Sequence, residues 1–122
     1  MLAKVNVADG LASIRDHWKP KIAGEVNDIQ VKLAKLKGEF IWHHHDKEDE
    51  MFLVVKGCLR MKLRDGDVTI REGEFLIVPR GVEHKPVAPK RASVLLFEPA
   101  STRNTGNVDH EHTIEPSDLE RI

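Results

Sequence analysis

The chain has 122 residues, of which 40% are hydrophobic and 32% charged, and its formal net charge is -1. This length suits one domain with one core, and we expect a single domain over residues 1–122. The balanced charge argues against nucleic-acid binding, and apolar runs of about five residues argue against a membrane span. A lone cysteine, Cys58, is typical of a reducing compartment, so we expect a cytoplasmic protein.

The first predicted element is a short helical or turn-like segment near the N-terminus. Leu11, Ile14 and Trp18 recur at helical spacing over residues 6–18. Pro20 ends this pattern, because proline has no amide hydrogen to donate and disrupts a helix.

Strand signals follow, separated by glycine and proline turns. Ile29, Val31 and Leu33 alternate with Gln30 and Lys32, which predicts a half-buried strand. The other predicted strands cover residues 39–45, 51–55, 58–63, 68–71, 75–78, 84–87 and 93–97. We expect Gly57 to turn the chain between two of them, and the Asp65-Gly66 pair to form a tight hairpin.

Many short strands without a long helix predict an all-β fold, and we interpret the chain as one small β-barrel. Its core would span about residues 29–98. From Pro99 onward the sequence is polar and weakly patterned. This tail is expected either to wrap around the barrel or to stay partly mobile.

A group of candidate metal ligands lies between Gly38 and Gly57. In an extended segment His43 and His45 face one side and His44 the other. A His-x-His pair offers two nitrogens to a transition metal, Glu50 can add a carboxylate, and His84 can add a third nitrogen. This donor set suits one divalent ion of Fe, Mn, Ni, Co, Cu or Zn. An octahedral ion would keep two positions open for water, oxygen or a substrate.

Other polar and reactive residues have simpler interpretations. The second His-x-His pair, His110 and His112, lies in the tail without strand context, and Cys58 is expected to be a small buried hydrophobe. Trp42 is expected in the core or an interface rather than in a pocket. Binding of an anionic substrate is the alternative for the last three of seven further residues, all of which are expected to have surface roles: His44, Asp46, Glu48, Asp49, Arg60, Lys62 and Arg80.

The same residues resemble the two sequence motifs of the cupin superfamily. The first motif is matched by Gly38, His43, His45, Glu50 and Gly57, with one residue fewer than usual after Gly38. The second is matched by Gly73, Pro79, Gly81 and His84, although Ala88 stands where an asparagine often ends it. The resemblance implies a double-stranded β-helix, or jelly-roll, barrel with a metal ion inside its mouth and a homodimeric assembly.

The function expected from these residues is that of a metal-dependent enzyme acting on a small polar molecule. Dioxygenase-type oxidation and isomerase or lyase chemistry both remain open. The sequence contains no Ser, Cys or Lys nucleophile constellation, so catalysis would be centred on the metal. The alternative is a non-catalytic module that binds or senses a metal and a small ligand, and a weaker one is a structural dimer with a vestigial pocket.

Overall fold

A computed structural model describes residues 2–122 of the chain. One short helix, α1 (Val7–Ala12), precedes the strands, and a 3-10 turn at Pro116–Asp118 follows them. The strands are β1 (Lys21–Val26), β2 (Ile29–Glu39), β3 (Glu50–Leu63), β4 (Gly66–Arg71), β5 (Phe75–Val78) and β6 (His84–Pro99). No helix within the described residues combines the length and apolar composition that a membrane span requires.

The six strands form one antiparallel sheet in the order β1-β2-β6-β3-β4, and β5 also pairs with β3. The long central strand β6 joins the two halves, because it pairs with β2 and with β3. Alternate side chains from β2, β3 and β6 fill the main core, which includes Ala34, Val54, Leu59, Met61 and Val94. The predicted all-β barrel is confirmed.

The strands are longer and fewer than predicted. Residues 51–55 and 58–63 belong to the single strand β3, and residues 84–87 and 93–97 belong to β6. Gly57 therefore does not turn the chain. It lies inside β3 at a β-bulge with φ 87, and a Cβ there would lie 2.2 Å from the carbonyl oxygen of Arg91. Bulges bend a strand without ending it, which the sequence pattern does not reveal. By contrast, β5 and the hairpin at Gly66 are confirmed.

The N-terminal prediction is only partly correct. The helix ends at Ala12, capped at its start by Asn6, so Trp18 is not on it. Leu11 and Ile14 pack against Leu33 on the outside of the sheet. Trp18 instead stacks on Phe40 at a centroid distance of 4.7 Å, as part of the main core. Strand β1 was not predicted.

The polar residues of the half-buried strand predicted at residues 29–33 face the interior of the barrel. Gln30 and Lys32 are buried in the barrel interior, whereas Val31 is half-buried on the outside. Lys32 shares its face with Ala34 two residues later, and Ala34 belongs to the main core. Leu33 is buried from the other side by α1. The predicted alternation of side chains between the two faces is present, but the polar side chains are the ones that face inward.

The C-terminal tail wraps around the barrel, which decides between the two predicted alternatives. Thr102 and Thr105 are fully buried. The Asn107 side chain accepts a hydrogen bond of 2.9 Å from the backbone N–H of His44. Arg103 forms ion pairs with Asp109 and Glu115, which tie the tail to itself. The tail thereby lies directly against the histidine-rich segment.

Candidate metal centre

His43 and His84 are far apart in sequence, and the backbone brings them together. They form an isolated antiparallel bridge with reciprocal hydrogen bonds, 3.1 Å from His43 N to His84 O and 2.9 Å from His84 N to His43 O. Directly opposed residues in such a pair have neighbouring side chains. The two imidazole centroids accordingly lie 4.3 Å apart.

His45 and Glu50 complete the cluster from the two ends of the loop between β2 and β3. The carbonyl oxygen of His45 accepts a 2.8 Å hydrogen bond from the Gly81 N–H, which fixes the histidine beside the turn before β6. Glu50 is the first residue of β3, and its Oε1 lies 3.1 Å from His45 Nε2 and 3.6 Å from His84 Nε2. One donor atom from each of the four residues lies within 4.8 Å of the others.

Segment 39–45 is not the continuous strand that was predicted, because β2 ends at Glu39 and His43 forms only the isolated bridge. The predicted sorting of the three histidines is nevertheless confirmed. His43 and His45 are buried in the cluster, and His44 lies on the other side, where its Nε2 is 2.8 Å from Asp46 Oδ1. Extended backbone is sufficient for this alternation.

The donor atoms of the cluster are left without partners. His45 Nε2, Glu50 Oε1 and His84 Nε2 are all buried, and none makes a hydrogen bond of good geometry, although His45 Nε2 and Glu50 Oε1 lie 3.1 Å apart. Burying polar atoms without a partner is costly, so such atoms mark a place for an ion or a bound molecule. Three neutral imidazoles and one carboxylate are ligands that divalent transition metals prefer. The residues therefore fit a metal ion.

The two imidazoles of the bridge are oriented by backbone carbonyls. His43 Nδ1 lies 2.9 Å from Ile41 O, and His84 Nδ1 lies 2.9 Å from Val82 O. A carbonyl oxygen can only accept, so Nδ1 carries the hydrogen in both rings. In the neutral ring Nε2 then keeps a free lone pair, which is the arrangement of a metal-ligating histidine.

The electrostatics of the cluster favour a neutral His43 and an ionised Glu50. Burial, followed by the neighbouring His84, lowers the pKa of His43 from 6.5 to about 4. Burial by itself would raise the pKa of Glu50, but His45, His84 and Glu98 lower it more, and the net pKa lies well below its usual range. The cluster therefore presents a neutral His43 imidazole and an ionised Glu50 carboxylate near neutral pH.

Lys32 and Glu98, which the sequence interpretation did not single out, lie beside this cluster. Lys32 Nζ is 3.1 Å from Glu98 Oε1, and both side chains are almost fully buried. Burial raises the pKa of Glu98 well above its usual range and the nearby Glu50 raises it further, whereas Lys32 lowers it. The only signal in the sequence was the position of Lys32 two residues before Ala34, on what proved to be the core face.

A cavity of about 40 Å³ joins the two groups of polar residues. His43, Glu50, Lys32 and Glu98 all line it. Its remaining walls are mainly apolar and come from the sheet, the N-terminal segment and the tail, including Trp18, Leu36, Phe40, Phe52, Leu96 and Leu119. Each water needs roughly 10–15 Å³ of such volume, so the cavity holds a few waters or a small molecule.

The other sequence candidates lie outside the cavity. The acidic turn is exposed, and its members pair with neighbours, as Asp49 does with Arg80 at 3.3 Å. His110, Glu111 and His112 form a second group of potential ligands in the tail, which is less buried than the first. Trp42 is half-exposed beneath the Arg64 guanidinium, 3.8 Å from its ring centroid, and Cys58 is half-buried rather than buried.

Comparison with known proteins places this geometry in a family. Residues 31–98 match the family model described as "Cupin domain". The crystal structure of a cupin-2 domain containing protein from Shewanella frigidimarina superposes with a TM-score of 0.77 and 41% identity, over 78% of this chain and 93% of that one.

Two curated relatives have similar sequences. The protein YdbB of Bacillus subtilis is 39% identical over 80 residues, which cover 62% of this chain and 71% of YdbB. The 3-hydroxyanthranilate 3,4-dioxygenase of Brucella anthropi is 37% identical over 65 residues, which cover 48% of this chain. The match spans 36% of that dioxygenase, about a third of its length.

Proposed function

This chain belongs to the cupin family, and we propose that it is a metal-dependent enzyme that acts on a small polar molecule in the barrel cavity. The observation that carries the proposal is the set of buried, unpartnered donor atoms on His45, Glu50 and His84. Such atoms are costly in a protein that binds nothing there. The catalytic unit would be the one domain predicted over residues 1–122.

We assign the metal to four residues. His43, His45 and His84 would each supply a nitrogen and Glu50 an oxygen to one divalent ion of Fe, Mn, Ni, Co, Cu or Zn. Such an ion supplies Lewis acidity toward substrate oxygens and, if it is redox-active, access to oxidation by dioxygen. The carbonyls of Ile41 and Val82 would hold two of the rings in the ligating tautomer.

The cavity determines which substrates are reasonable. The donor atoms are buried from bulk water, which strengthens electrostatic interactions with a substrate. Its small volume favours a compact molecule. Because one relative is named a 3-hydroxyanthranilate 3,4-dioxygenase, oxidation of a small hydroxylated acid is the first reaction to test. Isomerase and lyase reactions on small polar molecules come second.

The first experiment measures metal content. Protein purified without added metal, and again after reconstitution, should hold about one ion per chain. Glu50→Ala and His84→Ala should lose it. His44→Ala is the matched control, because that ring lies outside the cluster and contacts Asp46 instead. A wild-type protein that binds well below one ion per chain after reconstitution would exclude the proposal.

The second experiment separates an enzyme from a binding module. Iron-loaded protein is incubated with 3-hydroxyanthranilate and with a panel of small acids, phenols and diketones, while oxygen consumption and product formation are followed. Turnover that disappears in Glu50→Ala supports an enzyme. A small molecule that binds tightly and is recovered unchanged would instead favour the non-catalytic binding or sensing module.

We also propose that the protein is a homodimer, as the family resemblance implies. Two rows of apolar side chains cross the outer face of the sheet, where β5, β3 and β6 pair. Phe75 and Ile77 are 60% and 52% exposed, and Phe97 is 37% exposed. Exposed apolar patches of this kind mark interaction sites.

Light scattering after size-exclusion chromatography tests the dimer. Ile77→Lys places a charge in the middle of this face and should give a monomer. Glu72→Lys, outside the two apolar rows, is the control. A monomeric wild type would contradict the proposal. The cytoplasmic location stays a prediction.

A further inference from the structure

The Lys32–Glu98 ion pair is unusual because it lies inside the barrel. Its charged atoms are 3.1 Å apart, and the two side chains are 2% and 3% exposed. Moving two charges out of water costs free energy that their attraction often does not repay, so a buried ion pair is weak evidence for a stabilising role. Another role should therefore be sought in what surrounds the pair.

The pair is incomplete in its hydrogen bonding. An ammonium group has three N–H donors, and Glu98 is the one charged partner of Lys32 among residues 2–122. Glu98 Oε2 and Gln30 Oε1 are buried and have no partner. Gln30 and Glu98 are directly opposite each other on β2 and β6, so the unpaired atoms come from one patch of the interior. Both atoms are acceptors, so a bound water or a ligand hydroxyl would satisfy them, and Lys32 is the group in this patch that can bind an anion.

This patch and the candidate metal centre share one cavity. Lys32 and Glu98 line it together with His43 and Glu50. Glu50 and Glu98 are neighbours across β3 and β6, because the next residues along, Met51 and Phe97, are paired. A single small molecule can therefore reach both groups of polar atoms.

The charges of the interior indicate the sign of that molecule. Lys32 contributes one positive charge, Glu98 and Glu50 contribute two negative charges at most, and the histidines are neutral in the ligating form. A divalent ion on the cluster would leave the interior with a net positive charge. Buried charges without compensation are costly, so a bound anion is favoured.

We propose that Lys32, positioned by Glu98, is an anion-binding subsite that holds the carboxylate of a small carboxylic acid next to the metal centre. This inference rests on the proposed function and specifies its substrate class. The ammonium donates its free hydrogens to the carboxylate, while the adjoining carbonyl or hydroxyl oxygen of the ligand lies toward the His43 and Glu50 side of the cavity. The apolar walls take up the short hydrocarbon part.

Pyruvate is a suitable probe, and 2,3-butanedione is its uncharged analogue of similar shape. Isothermal titration of zinc-loaded protein should give pyruvate binding, with 2,3-butanedione binding roughly tenfold to a hundredfold more weakly. Lys32→Met should lower pyruvate affinity by a similar factor and leave the zinc content unchanged. Lys37→Met is the matched control, since Lys37 is an exposed lysine on the same strand and should bind pyruvate like the wild type.

A second variant keeps the test decisive if Lys32→Met does not fold. Lys32→Met combined with Glu98→Gln removes both charges and leaves neither carboxylate nor ammonium unpaired, and it should also lose pyruvate affinity. The subsite alone would be overturned if the folded Lys32 variants retained zinc and bound pyruvate with unchanged affinity. It would also be overturned if the zinc-loaded wild type bound no pyruvate at millimolar concentration. A wild type that cannot hold zinc or another divalent ion would overturn the proposed function, and the subsite with it.

Discussion

The chain contains two His-x-His motifs with the same spacing and different surroundings. His43 and His45 are buried inside the barrel, at 3% and 4% exposure, where two further donors meet them. His110 and His112 are half-buried in the tail, and the residue between them, Glu111, is exposed. The spacing alone does not distinguish a candidate metal centre from a tail contact.

Hydrogen bonding also separates the two motifs. His43 Nδ1 donates to a carbonyl and so leaves Nε2 free, whereas His110 Nδ1 accepts a 3.1 Å hydrogen bond from the backbone N–H of His112. The lone pair of His110 Nδ1 is therefore already occupied by a hydrogen bond. The first motif differs because Glu50 and His84, which belong to other elements, lie beside it. The pairing of the strands in the sheet determines this placement.

The largest expected difference between the motifs is in metal binding. His45→Ala removes a buried nitrogen donor and should lower the bound metal from about one ion per chain to under roughly a tenth. His112→Ala removes the equivalent residue of the tail motif and should leave the metal content unchanged. Elemental analysis of both variants after reconstitution checks this. Equal losses in the two variants would mean that the tail motif contributes to the same site.

A pH dependence of stability should come from the buried motif. The folded-state pKa of His43 is about 4, below the ordinary 6.5, because burial and His84 disfavour its protonated form. Between these values the unfolded chain binds a proton that the folded chain does not, so the free energy of unfolding falls as pH falls. The loss contributed by this group by pH 4 is about 3 kcal/mol.

Denaturant unfolding of metal-free protein across this pH window provides the measurement. His43→Gln has no such proton to exclude, so its stability should fall with acid by about 3 kcal/mol less than that of the wild type. Near neutral pH, where His43 is neutral in both states, the two proteins differ only by the packing cost of the substitution. Parallel curves down to pH 4 would show that His43 does not carry the effect.

The comparison also shows how much of this molecule its sequence predicts. The barrel and the grouping of His43, His45 and Glu50 were predictable because turn residues and donor spacing are local signals. The bridge that places His84 beside His43 is a long-range contact, which only the resemblance to a family supplied before the structure was known.

The inward orientation of Lys32 was not predictable from alternation. A strand with polar and apolar residues in alternate positions normally turns its apolar side to the core. In β2 the outer side is covered by α1 at Leu33, and the polar side faces the cavity. Which face is the inner one depends on the closure of the whole barrel, and a lysine in the interior is an exception that function can explain.

The contact between the tail and the buried motif can be broken at Gly106. A Cβ at this position would lie 2.2 Å from His44 O and 3.2 Å from His43 Cδ2, and φ is +55. Gly106→Ala should therefore displace the tail and destabilise the protein. Gly73→Ala is the control for backbone strain, because Gly73 has φ +80 and open space around it. The clash should cost about 1–3 kcal/mol beyond the control, measured by chemical unfolding.

The smallest expected effect is the coupling of the two motifs through Phe40. Its ring meets His43 edge-on at 5.5 Å and stacks on His112 at 6.1 Å, so it lies between them. A double-mutant cycle with Phe40→Leu and His112→Ala should give an interaction free energy of about 0.5–1.5 kcal/mol, typical of aromatic pairs. A value under about 0.3 kcal/mol would be indistinguishable from additivity. His112 would then be held by the hydrogen bond that the Asn104 side chain donates to its carbonyl oxygen, and not by its ring.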